Sequence, residues 1–396
     1  MFNYLGKVDV AVNYTDEQIC TQLYDTPSRH HGAVSPPIYQ TSLFAFETFE
    51  AFTEAQSAER ENYVYTRGGN PTTEILEQKL AMLERGERCK CFGSGMGAIS
   101  SVFLSLLQKG DHVLLVNNIY GPTQQLMKHL ENFGIEHSYT ENDVEAAIRP
   151  NTKLIYVESP GTMLMKVVDL MKVTALAMRH GIYTAIDNTW STPIFQKPLT
   201  LGFDLSVHSL TKYIGGHSDI VGGAVIGSSK LIDRIFTYGY QLNGSVLSPH
   251  DASQVIKGLR TLPLRMKQHE SNASQIIDFL QSRDEIKVIH HPSLQDRDIT
   301  ENQMSGFSGL LSFELKEGRF DHVASFINEL NVFKIGVSWG GYESLVNSPV
   351  KRSNASELIK QGIDPGLIRL SIGLENPDDL IADLKNAFRA SELIKP

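Results

Sequence analysis

A chain of 396 residues with 41% hydrophobic and 20% charged residues has ordinary globular composition and length for two or three domains, which excludes disordered, collagen-like and disulfide-miniprotein classes. Lys and Arg total 36 against 45 Asp and Glu, and a net charge of -9 gives no general attraction for nucleic acid or an anionic membrane. No run reaches the roughly 18 apolar residues of a membrane span, so small-molecule chemistry is the leading class.

The arm comes first in the chain. Residues 1–60 contain Pro27, Gly32, Pro36 and Pro37 and too little periodic sequence for a core of their own. They read as an arm leaning on another surface, with Phe44, Phe46 and Phe49 in need of a partner. The first residues lack a basic start followed by an apolar run, so no targeting segment is expected. Cys20, Cys89 and Cys91 cannot all pair, and the last two are too close for a CxxC redox or zinc motif. A reducing compartment, a cytoplasmic location and no metal site are the expectations.

Regular elements begin near residue 70. A helix is predicted over 72–85, capped by Thr72, and another over 95–108. Short apolar runs follow at 113–116, 153–157, 182–186, 204–208 and 222–227, several of them separated by helical segments such as 168–180. That alternation predicts an α/β domain over 61–255 built on a mainly parallel, doubly wound sheet. From about 256 the order changes to a long helical stretch to 283, strands at 287–292 and 309–315, and helices at 320–330 and 377–393. The segment 256–396 is therefore read as a smaller C-terminal α+β domain.

Gly93-Ser94-Gly95-Met96-Gly97-Ala98 fits the G-x-G-x-x-A pattern of a dinucleotide site, with Asp111 beyond it. The preceding ERCKCF reads as a poor buried strand, which weakens that interpretation. Backbone N–H groups at the start of a helix will hold any phosphate.

In open α/β sheets, ligands bind beyond the carboxyl ends of the strands. Glu158-Ser159-Pro160, Asp187-Asn188-Thr189 and Ser209-Leu210-Thr211-Lys212 each follow such a strand. A lone lysine there is ordinarily solvated and a lone aspartate ordinarily caps a turn. Together, an acid and a lysine suit pyridoxal phosphate (PLP): the carboxylate keeps the pyridine nitrogen protonated and the amine joins the aldehyde. Gly95 and Met96 would supply N–H groups to the phosphate, with the hydroxyls of Ser209 and Thr211 beside the lysine.

At this point the sequence resembles the Cys/Met-metabolism enzymes that depend on PLP, the trans-sulfuration family with the fold type I, aspartate aminotransferase-like architecture. The matching pieces are Tyr65-Thr66-Arg67-Gly68-Gly69-Asn70-Pro71-Thr72, Ser94-Gly95-Met96, Tyr120-Gly121, the three strand-end motifs, and Arg369-Leu370-Ser371-Ile372-Gly373. The resemblance implies that Lys212 holds the cofactor and shuttles protons, that Asp187 pairs with the pyridinium and that Tyr120 stacks on the ring. It further implies that Tyr65 and Arg67 reach the phosphate of a neighbouring subunit's cofactor, making a homodimer with shared sites, commonly paired as a homotetramer. Arg369 would clamp the substrate α-carboxylate with help from Ser338.

Within the family, Ser338-Trp339-Gly340-Gly341-Tyr342-Glu343-Ser344 is similar to the bacterial cystathionine β-lyases, as are Gly258-Leu259-Arg260-Thr261-Leu262 and the run 378–384. Trp339 is accordingly placed with the substrate. Val337 stands where γ-acting cystathionine enzymes usually carry a glutamate, and Tyr120-Gly121-Pro122-Thr123 lacks the cysteine usual in methionine γ-lyases. The β-lyase type can itself have an aromatic residue at the position of Val337, which implies a roomier distal pocket here. The expected reaction is β-elimination from an amino-acid thioether, with γ-lyase, γ-synthase and sulfhydrylase activities as alternatives.

Overall fold

The computed structural model describes residues 14–141, 143–295 and 297–392; the first 13 residues of the expected arm and the last four of the chain lie outside them. The arm is tied to the body by buried polar groups. Lys79 Nζ, fully buried, donates to the Ile19 carbonyl at 3.2 Å and pairs with Asp25 at 3.0 Å. Phe44 and Phe46 are half-buried, Phe44 tilted against Tyr63 and Phe46 edge-on to Phe52, whereas Phe49 is 74% exposed.

The helix expected at 72–85 runs Pro71–Glu84, but its cap is Asn70, whose Oδ1 accepts the Thr72 N–H at 2.9 Å. The hydroxyl of Thr72 instead accepts the N–H of Tyr39 in the arm at 2.9 Å.

Seven strands form the large sheet: β1 (Arg88–Phe92), β2 (His112–Val116), β3 (Glu136–Thr140), β4 (Thr152–Glu158), β5 (Tyr183–Asp187), β6 (Leu205–Ser209) and β7 (Gly223–Gly227). Their order is β1-β7-β6-β5-β4-β2-β3; β6, β5, β4, β2 and β3 are parallel, and β7 pairs antiparallel with both β6 and β1, so β7 alone runs against the rest. The mainly parallel α/β sheet is as expected.

Two strands of the large sheet differ from the sequence reading. ERCKCF contains a well-buried strand, β1, concealed by Lys90. The amine of Lys90 is accommodated inside by Glu77 at 3.1 Å and by the face of Tyr240, 4.5 Å from the ring centroid. Strand β3 (EHSYT) passed unnoticed because an edge strand with exposed positions carries no apolar run.

The expected long helix from 256 to 283 is two helices, Pro249–Leu259 and Leu262–Gln281, broken at Arg260-Thr261. Pro263, which lacks an N–H, stands in the first turn of the second helix, where none is needed. The expected boundary at 255/256 falls inside the first of these. A second sheet then forms from β8 (Ile286–His290), β9 (Leu310–Leu315), β10 (Lys334–Ile335), β11 (Leu345–Asn347) and β12 (Leu367–Ser371), in the order β10-β11-β12-β9-β8. Of these, β10, β11 and β12 were not expected.

One core cluster lies between the large sheet and helix Gly95–Leu106; another joins β9 and β12 to helices Phe320–Asn328 and Pro377–Glu392. The carboxyl ends of β4, β5 and β6 thus open beside the N-terminus of helix Gly95–Leu106, with loop 336–344 of the second unit packed against Lys212.

Candidate active site

In the parallel register Glu158 lies opposite Asp187, and Asp187 opposite Val207, so both acids emerge on the same face of the sheet, the face covered by helix Gly95–Leu106. Asp187 accepts the Thr189 N–H at 3.0 Å. Burial raises its carboxyl above the usual range, while the hydrogen bonds from Thr189 and the charges of His208 and Lys212 pull it back. The Thr189 hydroxyl also accepts the Ser209 N–H at 2.8 Å, tying the acid of β5 to the end of β6.

Behind this face, the fully buried Glu84 gathers Asn188 Nδ2 at 2.8 Å, Ser206 Oγ at 2.9 Å and His208 Nε2 at 2.5 Å. That network fixes the residue next to Asp187.

Helix Gly95–Leu106 is capped by Ser94, whose Oγ accepts the Gly97 N–H at 2.9 Å. The N–H groups of Gly95 and Met96, in the first turn, have no acceptor among the described hydrogen bonds. A Cβ on Gly95 would lie 3.1 Å from Ser209 Cβ and 3.2 Å from its Oγ, so strand end and helix start meet with no room for a side chain. The Thr211 hydroxyl accepts the Gly222 N–H at 3.1 Å and closes the turn that carries Lys212.

Lys212 Nζ lies 2.8 Å from Ser338 Oγ and 5.5 Å from the centroid of the Trp339 ring. Burial and the nearby Arg369 charge lower its amine to about 8, against the opposing pull of Asp187. Gly340 has φ +80°, and a Cβ there would meet the Tyr213 N at 2.9 Å and the Lys212 Cβ at 3.2 Å. The Ser338-Trp339-Gly340 segment therefore rests directly on the lysine.

Arg369 on β12 is 7% exposed and donates from Nη2 to the Val337 carbonyl at 2.9 Å. Burial lowers the affinity of its guanidinium for its proton, and Glu158 and Tyr120 oppose that effect. Tyr120 is 45% exposed at the start of helix Gly121–Leu130, and its N–H donates to Glu158 Oε2 at 2.7 Å.

Lys212, Asp187, Ser209, Thr211, Gly95, Met96, Ser338, Trp339, Arg369 and Tyr120 thus gather around the ends of β4 to β6 and β12. Tyr65 and Arg67 stand apart. The Arg67 guanidinium lies 5.2 Å from the Tyr65 ring centroid and its Nε donates to Gln241 at 3.1 Å, and no described contact joins either residue to Lys212, Asp187 or Gly95.

The sequence model of the family described as Cys/Met metabolism PLP-dependent enzyme matches residues 19–389. The chain belongs to that family. An L-methionine gamma-lyase of Pseudomonas putida is 42% identical over 381 residues, covering 93% of this chain and 95% of the relative. A cystathionine beta-lyase of Lactococcus lactis subsp. cremoris is 40% identical over 369 residues, covering 90% of this chain and 94% of the relative. The crystal structure of cystathionine gamma synthase from Xanthomonas oryzae pv. oryzae, in complex with aminoacrylate and cysteine, superposes with a TM-score of 0.89 at 33% identity, covering 97% of this chain and all of the other.

The fold is accordingly that of the PLP-dependent trans-sulfuration enzymes, and the cofactor is PLP. The dinucleotide reading of Gly93 to Ala98 is displaced. β1, which precedes that loop, lies at the edge of the sheet beside the antiparallel β7 and has no parallel neighbour, unlike the first strand of a dinucleotide-binding βαβ unit. The relatives are lyases that depend on the same cofactor, in keeping with a PLP-dependent carbon–sulfur lyase.

The residues present fit the cofactor on the chain's own evidence. The N–H groups of Gly95 and Met96, without an acceptor among the described hydrogen bonds, and the tight Gly95–Ser209 contact suit a phosphate, the Asp187 carboxyl is drawn toward its charged form, against its burial, by His208 and Lys212, and the lysine amine has a lowered proton affinity.

Sequence reasoning gave no role to Thr189, Glu84 or Glu158. Thr189 had a visible cue, a hydroxyl two residues after the acid; Glu84 had none, because its partners come from β5 and β6.

Proposed function

We propose that the protein catalyses β-elimination from L-cystathionine, releasing homocysteine, pyruvate and ammonia with the uptake of water. The observation that carries this reading is the seating of Ser338-Trp339-Gly340 against Lys212 with Val337 immediately before it, 85% exposed and offering no carboxylate to a distal ammonium.

Arg369 holds the substrate α-carboxylate through its planar pair of N–H donors, a task suited to a buried guanidinium whose hydrogen bond among the described residues goes to a carbonyl and leaves its other donors for an anion. PLP held there would supply an acceptor for the electron pair left at Cα, with Tyr120 placed to cover the ring and Asp187 to keep its nitrogen protonated. Lys212, with an amine lowered to about 8, gives up its proton more readily than an ordinary lysine, so it can take the Cα proton and is placed to return one to the departing sulfur. Ser338 steers the amine. γ-Chemistry requires removal of a Cβ proton as well, and with it further positioning.

The site is proposed to be completed by a second copy of the chain. Tyr65 is 43% exposed with Arg67 over its ring, Arg67 donates to Gln241, and no described contact joins either to their own chain's lysine, which supports a contribution to the neighbour's phosphate cup in a homodimer, itself paired as a tetramer. The three cysteines are free and buried, and among the described residues no helix is long and apolar enough to cross a membrane. A reducing, cytoplasmic setting is the proposed location.

A second reading, γ-elimination, is favoured by the 42% identity to a methionine gamma-lyase. One assay separates them: incubation with L-cystathionine and, in parallel, with L-methionine and with O-acetylhomoserine plus sulfide. Pyruvate with homocysteine supports β-elimination. Dominant 2-oxobutyrate with cysteine, or methanethiol from methionine, overturns it in favour of γ-elimination, and homocysteine from the acyl-homoserine mixture alone moves the assignment to a sulfhydrylase.

A further inference from the structure

Tyr120 occupies the N-cap position of helix Gly121–Leu130, but its side chain makes no capping bond. Its backbone N–H is held by Glu158 Oε2 at 2.7 Å, from the last residue of β4. Glu158 is only 9% exposed. A carboxyl group buried there is costly unless its oxygens are used, and an apolar residue would continue the pattern of β4, whose preceding four residues are all buried.

The charges of Glu158 and Arg369 favour each other across the site, but no direct contact among the described residues holds the two together, and the one described hydrogen bond of that guanidinium goes to the Val337 carbonyl at 2.9 Å. The negative charge needed by the cofactor ring is already supplied by Asp187, directly opposite in the register. Burial and the Asp187 charge push the Glu158 carboxyl well above the ordinary range, against the Tyr120 N–H, a hydrogen bond from Thr162 and the Arg369 charge, so the group is held chiefly as an uncharged or weakly charged acceptor. What the group does offer is a fixed acceptor at the root of Tyr120.

We propose that Glu158 is a positioning residue that holds the Tyr120 backbone, and through it the Tyr120 ring over the cofactor, by accepting a hydrogen bond and not by its charge. The inference rests on the reading of Tyr120 as the ring that covers the cofactor. Helix Gly121–Leu130 starts at this hydrogen bond, so loss of the acceptor frees the first turn and lets the ring tilt or slide. A displacement of that kind is enough to cost catalysis without abolishing cofactor binding.

The test compares E158A, E158Q and Y120A holoenzymes by visible-region circular dichroism of the bound cofactor, which reports the asymmetry of its surroundings, and by kcat and KM with L-cystathionine. E158A is expected to change the visible dichroism in the same direction as Y120A and to lower kcat on the order of 10-fold, with a smaller change in KM. E158Q, which keeps an acceptor oxygen without a charge, is expected to recover most of both. Thermal melting checks the fold, and if E158A does not fold, E158M replaces it with the same expectation.

Wild-type dichroism and kcat in E158A would overturn the inference, as would an E158Q as impaired as E158A, which would assign the role to charge. Unchanged dichroism in Y120A would overturn the reading of Tyr120 and this inference with it. A changed Y120A beside an unchanged E158A removes Glu158 alone. If L-cystathionine is not turned over, the dichroism comparison still decides.

Discussion

The amine of Lys212, at the end of β6, lies 2.8 Å from the hydroxyl of Ser338, which reaches it from a loop beside the second sheet 126 residues later. This contact joins the lysine to the loop proposed to face the substrate, and with the Gly340 backbone seated on the same lysine it restricts where the amine can travel.

Lys212→Ala is expected to yield a protein without the visible absorption of the covalently held cofactor and without elimination, checked by absorbance and pyruvate release. For the cofactor-free wild type, the amine is lowered from 10.5 to about 8. Between those values the unfolded chain binds the proton and the folded chain does not, so this group's contribution to stability improves as pH rises from about 8 to about 10.5, and below about 8 its penalty is complete. Lys212→Met apoprotein should therefore melt above wild-type apoprotein at pH 7, with the gap narrowing across that window. Covalent capture of added PLP should quicken with pH and reach half its maximal rate near 8.

Gly95→Ala should weaken cofactor binding while leaving the fold intact. The added methyl would stand 3.1 Å from Ser209 Cβ, a contact relieved only by parting the strand end from the helix start that form the phosphate cup. One methyl in such a site is worth about 10- to 200-fold, and dialysis followed by PLP titration measures it.

Arg369→Lys retains the charge and loses the planar fork. A drop of about 100-fold in kcat/KM is expected, because a point charge cannot reproduce two parallel hydrogen bonds to a carboxylate. A variant within threefold of wild type would remove Arg369 from the carboxylate site.

Mixing Arg67→Ala with Lys212→Ala subunits, each inactive alone, should restore activity, since one kind of mixed site would then hold both an intact lysine and an intact neighbouring arginine. Failure to recover activity after demonstrated subunit exchange would refute the shared site.

The local signals in the chain were sufficient for the α/β alternation, the five short buried runs and the strand-end placement of Asp187 and Lys212. Parallel strands buried on both faces are written as continuous apolar stretches, and β2, with all five residues buried, is an example. Strands that break the pattern were lost: β1 because Lys90 is neutralised by Glu77 and the Tyr240 ring, which lie outside the strand, and β3 because it is an exposed edge. The long C-terminal helix was overextended because the apolar periodicity continues across Arg260-Thr261, where the chain nevertheless turns.

Sequence alone determined which residue types bring the chemistry: a lysine, an acid, a glycine-led helix start, a buried arginine. Each sits within a motif of a few residues whose conformation is set locally. Tertiary structure alone decided their relations. Register placed Glu158 beside Asp187, folding of the second unit onto the first brought Ser338 to Lys212, and the approach of three segments gave Glu84 its donors. Hydrogen-bond partners and local dielectric depend on groups tens to hundreds of residues apart, so the lowered proton affinity of Lys212 and the use made of Glu158 arise only once the chain is closed.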